Sequence, residues 1–301
     1  MKRLSLALSF ILAFATTAFG QVGTKYPAIE YAVEAAPGKL EIIYEHTAYD
    51  PIRKTKETTT EMLQADTEVT YQRTYNSYRL DSALMELPAT ISWVEISQIH
   101  GRLGSQDGLF PKLLWQKEGN LYSEIDSAMG SFIYQEEREP IAWELLDTPV
   151  RELLGVTCRE AKAEFRGREW HVWYSPEIPM PIGPYKLGGL PGAVLEASST
   201  DGHHFYTAIM RRNAKIPIII PDIPEQEKVL FWGTREQWYK AMSRHHWNFS
   251  ASLESSGIQV TEVNGDPIDF SGKTLFYAPI ELDWMTEKML AKWLDGKNPI
   301  L

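Results

Sequence analysis

Two histidine pairs, one thiol and a lysine beside a run of glycines are the groups in this 301-residue chain whose types and spacing bear on chemistry. His203 and His204 together suggest a metal site, but they open the alternating segment "HHFYTAIMRR". Neighbouring side chains on a strand point to opposite faces, so the two cannot chelate one ion. His245 and His246 lie about 100° apart on a helical pattern instead of at the i, i+4 spacing of a two-histidine site, and His245 falls on the apolar side. The chain has no H-E-x-x-H and no serine in G-x-S-x-G. Its carboxylates are numerous but paired by no spacing, so a glycoside-cleaving acid and base would come together only on folding. We therefore assign no catalytic residue, no metal ligand and no cofactor.

Cys158 is the only cysteine, which excludes intrachain disulfides and favours a buried, inert thiol. It is in phase with Glu160, Lys162 and Glu164 and out of phase with Ala161, Ala163 and Phe165. Either the thiol faces the more polar side, or a bulge near Arg159 shifts the strand.

The lysine belongs to "YKLGGLPGAVLEA", residues 185–197, where Lys186, Gly188-Gly189 and a Pro-Gly pair precede a short apolar run. Leu190-Pro191-Gly192-Ala193 suits a type II turn, with Pro191 second and Gly192 third, where φ is positive. The stretch is neither a P-loop nor a G-x-G-x-x-G fingerprint, so its first role is to aim the following strand. With an exposed ammonium, Lys186→Ala would leave stability within about 0.5 kcal/mol. Downstream, Asp201-Gly202 suits a two-residue type I′ turn that sets Ala197 opposite Tyr206, Leu195 opposite Ala208 and Ala193 opposite Met210.

The elements that hold these groups are mostly strands. Alternating or apolar segments recur about every 8 to 15 residues: "KLEIIYEHTA", "TEVTYQRTY", "ATISWVEIS", "PKLLWQKEG", "GSFIYQEE", "IAWELLD", "VTCREAKAEF", "REWHVWYS", "GAVLEASST", "HHFYTAIMRR" and "IQVTEV". Ten tryptophans and fourteen tyrosines suit half-buried pleated surfaces. The pattern predicts a mainly β fold: a curved, mostly antiparallel sheet of about ten strands, partly open and barrel-like, with a few helices packed on one face. Helical signals come late. Thr234 and Gln237 form a capping box ahead of Trp238, Ala241, Met242, His245 and Phe249, which predicts a helix over 234–249. Met285, Met289 and Trp293, with Gly296 as C-cap, predict another over 283–294. Pro217, Pro221 and Pro224 make 211–230 an extended connection.

"MKRLSLALSFILAFATTAFG" places Lys2 and Arg3 before an apolar run that closes on Ala18-Phe19-Gly20, the form of a cleaved export signal. The mature chain would begin at Gln21 as a single β-rich domain over 21–301. Loss of Lys2 and Arg3 takes the net charge from -10 to -12 (-10 minus 2), which repels nucleic acid. No apolar run of the mature part reaches the roughly 20 residues of a spanning helix.

The ordered stretch "VTCREAKAEFRGREWHVWYSPEIPMPIGPYKLGGLPGAVLEAS" resembles the GLPGLI family of exported bacterial envelope proteins. It has a cysteine strand, a Gly-Arg-x-Trp strand, an Ile-Pro-x-x-x-Gly-Pro turn and the Gly-Leu-Pro-Gly corner. "YRLDSAL" and "FYAPIELDW" resemble the family's flanking stretches, and Ala193-Val194 stand where the family name has Leu-Ile. The resemblance implies an exported β-rich protein and assigns no catalytic residue. Together with the corner it marks Arg168, Trp170, Tyr174, Pro184, Lys186, Gly189, Leu190, Pro191 and Gly192 as binding or motif candidates. The favoured function is a periplasmic or outer-membrane-associated protein that binds an envelope partner or an apolar ligand on an aromatic-lined concave face or at the corner. The alternatives are a secreted carbohydrate-active hydrolase, for which abundant tryptophan suits sugar stacking, and a metal-handling envelope protein.

Overall fold

Short segments with β-branched and aromatic residues at alternate positions gain most by laying one face on a shared core, and the chain does this many times over. The computed structural model describes residues 32–50, 55–86, 112–116, 120–127, 130–221 and 229–238, with Glu95, Gln98, Ile99, Arg102 and Ala241 as single positions. The chain forms β1 (Ala32–Ala36), β2 (Leu40–Asp50), β3 (Thr55–Ala65), β4 (Val69–Thr74) and the helix α1 (Tyr75–Met85). Next come β5 (Lys112–Gln116), β6 (Asn120–Ser127), β7 (Gly130–Glu137), β8 (Glu144–Leu145), β9 (Arg151–Leu153), β10 (Val156–Phe165) and β11 (Arg168–Ser175). After a long connection follow β12 (Ala193–Ser199), β13 (His204–Asn213), β14 (Ile218–Pro221) and β15 (Val229–Thr234).

One sheet of thirteen strands runs β15-β7-β6-β5-β4-β3-β2-β13-β12-β11-β10-β8, with β9 also on β10, while β1 and β14 form a separate pair. Every pairing is antiparallel except β15 with β7. The sheet is open but strongly curled. Nine strand steps separate β7 from β10, about 43 Å if flat at about 4.8 Å per step. Yet Arg166, in the β10–β11 turn, places Nη2 3.0 Å from Glu136 Oε2 on β7. Side chains, not a backbone ladder, bring these two parts of the sheet together. The main core lies on the concave face and joins Ile42, Tyr44, Leu63, Tyr134, Trp170, Val172, Tyr206 and Trp238. α1 covers the other face, where Tyr78 packs on Ile43 and Met62.

The curved, mostly antiparallel, partly open sheet is as expected, with corrections in detail. The sheet has thirteen described strands where about ten were expected. α1 was not foreseen: Thr74 Oγ1 caps it by accepting from the Ser77 amide at 3.2 Å, and Tyr75 stacks on Tyr78 at 5.8 Å. Within 211–230, β13 continues to Asn213 and Ile218–Pro221 pairs with β1, so the connection is partly strand. The capping box holds: Thr234 N donates to Gln237 Oε1 at 3.1 Å and Gln237 N to Thr234 Oγ1 at 3.3 Å. His245, His246, Phe249, the 258–263 strand and the 283–294 helix lie outside the described residues.

Candidate functional site

Between β11 and β12 the chain does not run over the surface as an ordinary connection would; residues 176–192 fold onto the concave face and fill it. Ile178, Ile182, Tyr185, Leu187 and Leu190 are all buried in the main core. Burial of such a side chain contributes roughly 1.5–3 kcal/mol, so the strap is part of the core. It doubles back on itself: Gly189 N donates to Pro181 O at 3.0 Å, Ala193 N to Ile178 O at 3.0 Å and Val194 N to Ile182 O at 2.9 Å. The Tyr185 amide ties it to the sheet by donating to Gln72 Oε1 at 2.6 Å, and just beyond the strap, at the start of β12, Val194 O accepts from the Tyr44 hydroxyl at 2.5 Å. Burial pushes the Tyr44 phenol far above its ordinary range, and the Glu61 charge adds to this.

Lys186 sits inside this strap and is 4% exposed. Its ammonium donates to the Tyr134 hydroxyl at 2.7 Å, lies 2.8 Å from Glu136 Oε1, and stands over the Tyr134 and Tyr185 rings at 5.1 and 5.0 Å. An exposed ammonium is thus excluded. Glu136, between Lys186 and Arg166, is the joint that holds strap, β7 and the β10–β11 turn together.

The corner differs from a type II turn at Gly192, whose φ is not positive; Gly189 has the left-handed backbone, φ 95°. What reserves position 192 for glycine is space, since a Cβ there would lie 2.1 Å from Ser175 O and 2.6 Å from Ser175 C. Gly189 is exposed, with nothing within 4 Å of an added Cβ. Leu190 is buried, Pro191 exposed, and Pro184 buried with its carbonyl accepting from the Leu187 amide at 3.1 Å. Tyr174 and Trp170 lie in the core, and the Trp170 indole donates to Phe165 O at 3.3 Å. Arg168 stands apart at the hairpin tip, where Nε donates to Asp201 Oδ2 at 2.7 Å. Burial pushes the Asp201 carboxyl up, but bonds from Ser199, the His203 amide and Arg168 outweigh it and hold the group below its usual range.

Near its turn the hairpin keeps the expected register, with Ala197 opposite Tyr206 and Ser198 opposite Phe205, but the β12–β13 ladder ends at Glu196 and Thr207, short of the expected Leu195–Ala208 and Ala193–Met210 pairs, and the shift after Ala208 leaves Met210 on the outward face. Its turn is not type I′, because Gly202 has φ 72° and Asp201 has no positive φ; Asp201 instead bonds the Ser199 hydroxyl and the His203 amide. Cys158 is fully buried, and its strand changes phase at Arg159 and Glu160, which resolves the sequence alternative in favour of an irregularity there.

Sequence reasoning missed a polar relay on the concave face. His46 Nδ1 is 2.7 Å from Glu61 Oε1, Gln72 donates to Glu61 Oε2, and His46 Nε2 is 3.3 Å from His204 Nδ1. Tyr206 stacks on His46 at 3.9 Å between ring centroids. The one signal was polar residues at inward positions of apolar strands. Among the described residues no group of three His, Cys, Asp or Glu is arranged to hold a metal, and no helix is long and apolar enough to cross a membrane.

On the opposite, outward face, β13 presents Phe205, Ile209 and Met210, which are 39%, 50% and 45% exposed. A register shift between Ala208 and Met210 turns both Ile209 and Met210 outward on consecutive positions. Bulges commonly re-aim side chains in this way beside functional sites.

No protein-family model and no curated protein matches the chain. Among solved structures it is similar to PNGF-II in two crystal forms, at 11% and 12% identity and TM-score 0.44, over 68% of this chain and 33% and 34% of that one. The chain thus spans about a third of the PNGF-II length. It is also matched to the LolA superfamily protein NE2245 from Nitrosomonas europaea, at 6% identity and TM-score 0.25, over 64% of this chain and 92% of that one. Likenesses this remote carry no activity across.

Proposed function

We propose that this chain is an exported, non-enzymatic cell-envelope protein of the GLPGLI type that binds a partner protein through the outward face of its sheet. The amino-terminal export pattern and the motif spanning 156–198 support the location and the family. The observation that carries the binding mode is the exposed apolar strip on β13, where Phe205 faces outward by alternation and a register shift adds Ile209 and Met210 on consecutive positions. A protein interface needs such an apolar centre within a polar rim, and Thr207, Glu196 and Glu45 line up beside the strip. The aromatic concave face, by contrast, already holds Ile178, Ile182, Tyr185, Leu187 and Leu190 of the chain itself, which favours a partner over an apolar ligand. The concave carboxylates Glu61 and Glu136 are likewise engaged, by His46 and Gln72 and by Lys186 and Arg166.

A photo-crosslinking side chain at position 209, expressed in the native envelope, tests this. The expected result is one discrete protein adduct that Phe205→Ser with Met210→Ser strongly reduces, and no such adduct from position 164, exposed on β10. An adduct from both positions alike, no adduct from 209, or release of sugar from envelope glycan by the purified protein overturns the proposal.

A further inference from the structure

The outward face of the sheet carries a carboxylate beside the apolar strip that no other described residue meets. In the row of register partners that crosses β12, β13 and β2, Glu196 lies opposite Thr207 and Thr207 lies opposite Glu45. Partners on neighbouring strands share a face, so the two carboxylates stand outward, one on each side of β13. Glu196 is engaged: Arg151 Nη1 and Nη2 bond its two oxygens at 2.8 Å each, and the same guanidinium stands over the Trp173 ring at 5.4 Å. Glu45 is exposed and, among the described residues, has neither an ion-pair nor a hydrogen-bond partner. Its outward neighbours Thr47, Thr60 and Thr207 are uncharged.

The position of Glu45 gives this open charge its meaning. Thr207 lies midway along β13 between Phe205 and Ile209, about 7 Å from each, and Glu45 is about 5 Å from Thr207 across the ladder. A partner that covers both ends of the strip therefore passes over Thr207 and strips water from Glu45. A carboxylate desolvated without a counter-charge is strongly unfavourable. The neighbouring cations do not supply one. Lys56 stands over the Phe205 ring at 5.5 Å, at the far end of the strip, where its flexible stem keeps the ammonium in water. Arg211, beyond Met210, donates Nε to Leu154 O at 3.3 Å. The formal net charge of -10 also draws a partner of opposite sign.

Resting on the β13 interface, we propose that the partner polypeptide presents a lysine or arginine to Glu45, flanked by apolar side chains that cover Phe205 on one side and Ile209 with Met210 on the other. An acidic segment would set like charges face to face, and a purely apolar one would bury Glu45 unpaired.

The full chain with the photo-crosslinking side chain at position 209, in isolated native envelopes, supplies the test. Glu45→Lys should lower the yield of the discrete adduct by more than about tenfold and Glu45→Gln severalfold, with circular dichroism unchanged, while Glu164→Lys on exposed β10 leaves the yield as it was. Mass spectrometry of the digested adduct identifies the cross-linked segment of the partner, which should contain a lysine or arginine. Exchanging that residue for glutamate should lower the yield with unaltered Glu45 and restore it with Glu45→Lys. A yield that Glu45→Lys leaves intact, an equal loss from Glu164→Lys, a segment without a cation, or a charge exchange without rescue overturns this inference while the interface stands. Absence of any adduct from position 209 overturns the interface, and this inference with it.

Discussion

Replacing Gly192 by alanine probes the strap most sharply, because the added methyl meets only backbone. A Cβ at this position lies 2.1 Å from Ser175 O, 2.6 Å from Ser175 C and 2.9 Å from Pro176 N, where ordinary contact starts at 3.4 Å. The carbonyl would have to retreat by 1.3 Å (3.4 minus 2.1). It cannot do so freely, since Ser175 pairs with Ala193 across β11 and β12 and its hydroxyl donates to Thr157 O at 2.8 Å. Forced repacking of this kind costs typically 1–3 kcal/mol, and with backbone on the far side we expect about 3 kcal/mol. Gly189→Ala is the matched control: its φ of 95° disfavours a side chain, but the space is open, so the expected cost is about 1 kcal/mol. Urea denaturation followed by tryptophan fluorescence, with the m-value checked for constancy, measures both. If Gly192→Ala is as mild as the control, or if Gly189→Ala is the more damaging, steric exclusion at the corner is wrong and a positive-φ turn is restored.

Lys186→Met should lose about 2 to 3 kcal/mol, below the range for a fully stranded buried ion because Arg166 remains on Glu136, and adding Glu136→Gln should recover part of the loss; a change within 0.5 kcal/mol in the urea midpoint would refute the latch. His204, held well below its ordinary 6.5 by burial and by nearby charge, is unprotonated in the fold and takes up a proton on unfolding. Its stabilisation is therefore complete above about pH 6.5 and declines as pH falls below it, at up to about 1.4 kcal/mol per unit, a slope that His204→Asn should flatten. Burial pushes the Cys158 thiol up, so a thiol reagent should label the native chain negligibly and the denatured chain fully, and rapid native labelling would contradict its placement in the core.

Local patterns were legible and distant partners were not. Alternation revealed the strands, the dipeptide Asp201-Gly202 located the hairpin and its register near the turn, and Thr234 with Gln237 announced a helix start, because each signal is complete within a few residues. α1 escaped because its packing is set from elsewhere: Tyr78 bonds Glu41 at 3.0 Å and lies beside Arg212. Gly192 stood out in the sequence as a positive-φ turn residue, but its glycine is required by space, since the crowding atom belongs to an earlier strand and no spacing encodes it. Lys186 looked solvent-exposed in a polar, glycine-rich corner; only the curl of the sheet brings Tyr134 and Glu136 to it. His46, Glu61 and His204 come from three strands, so their meeting is a property of strand order alone.

Native mass spectrometry of the protein released gently from its own envelope tests the central proposal most directly. The expected spectrum shows a chain beginning at Gln21 bound to a second polypeptide, and this complex is lost in the Phe205→Ser, Ile209→Ser, Met210→Ser variant, whose circular dichroism is unchanged. A chain that retains its first twenty residues, or one that carries a lipid or glycan in place of a polypeptide and keeps it in that variant, would contradict it.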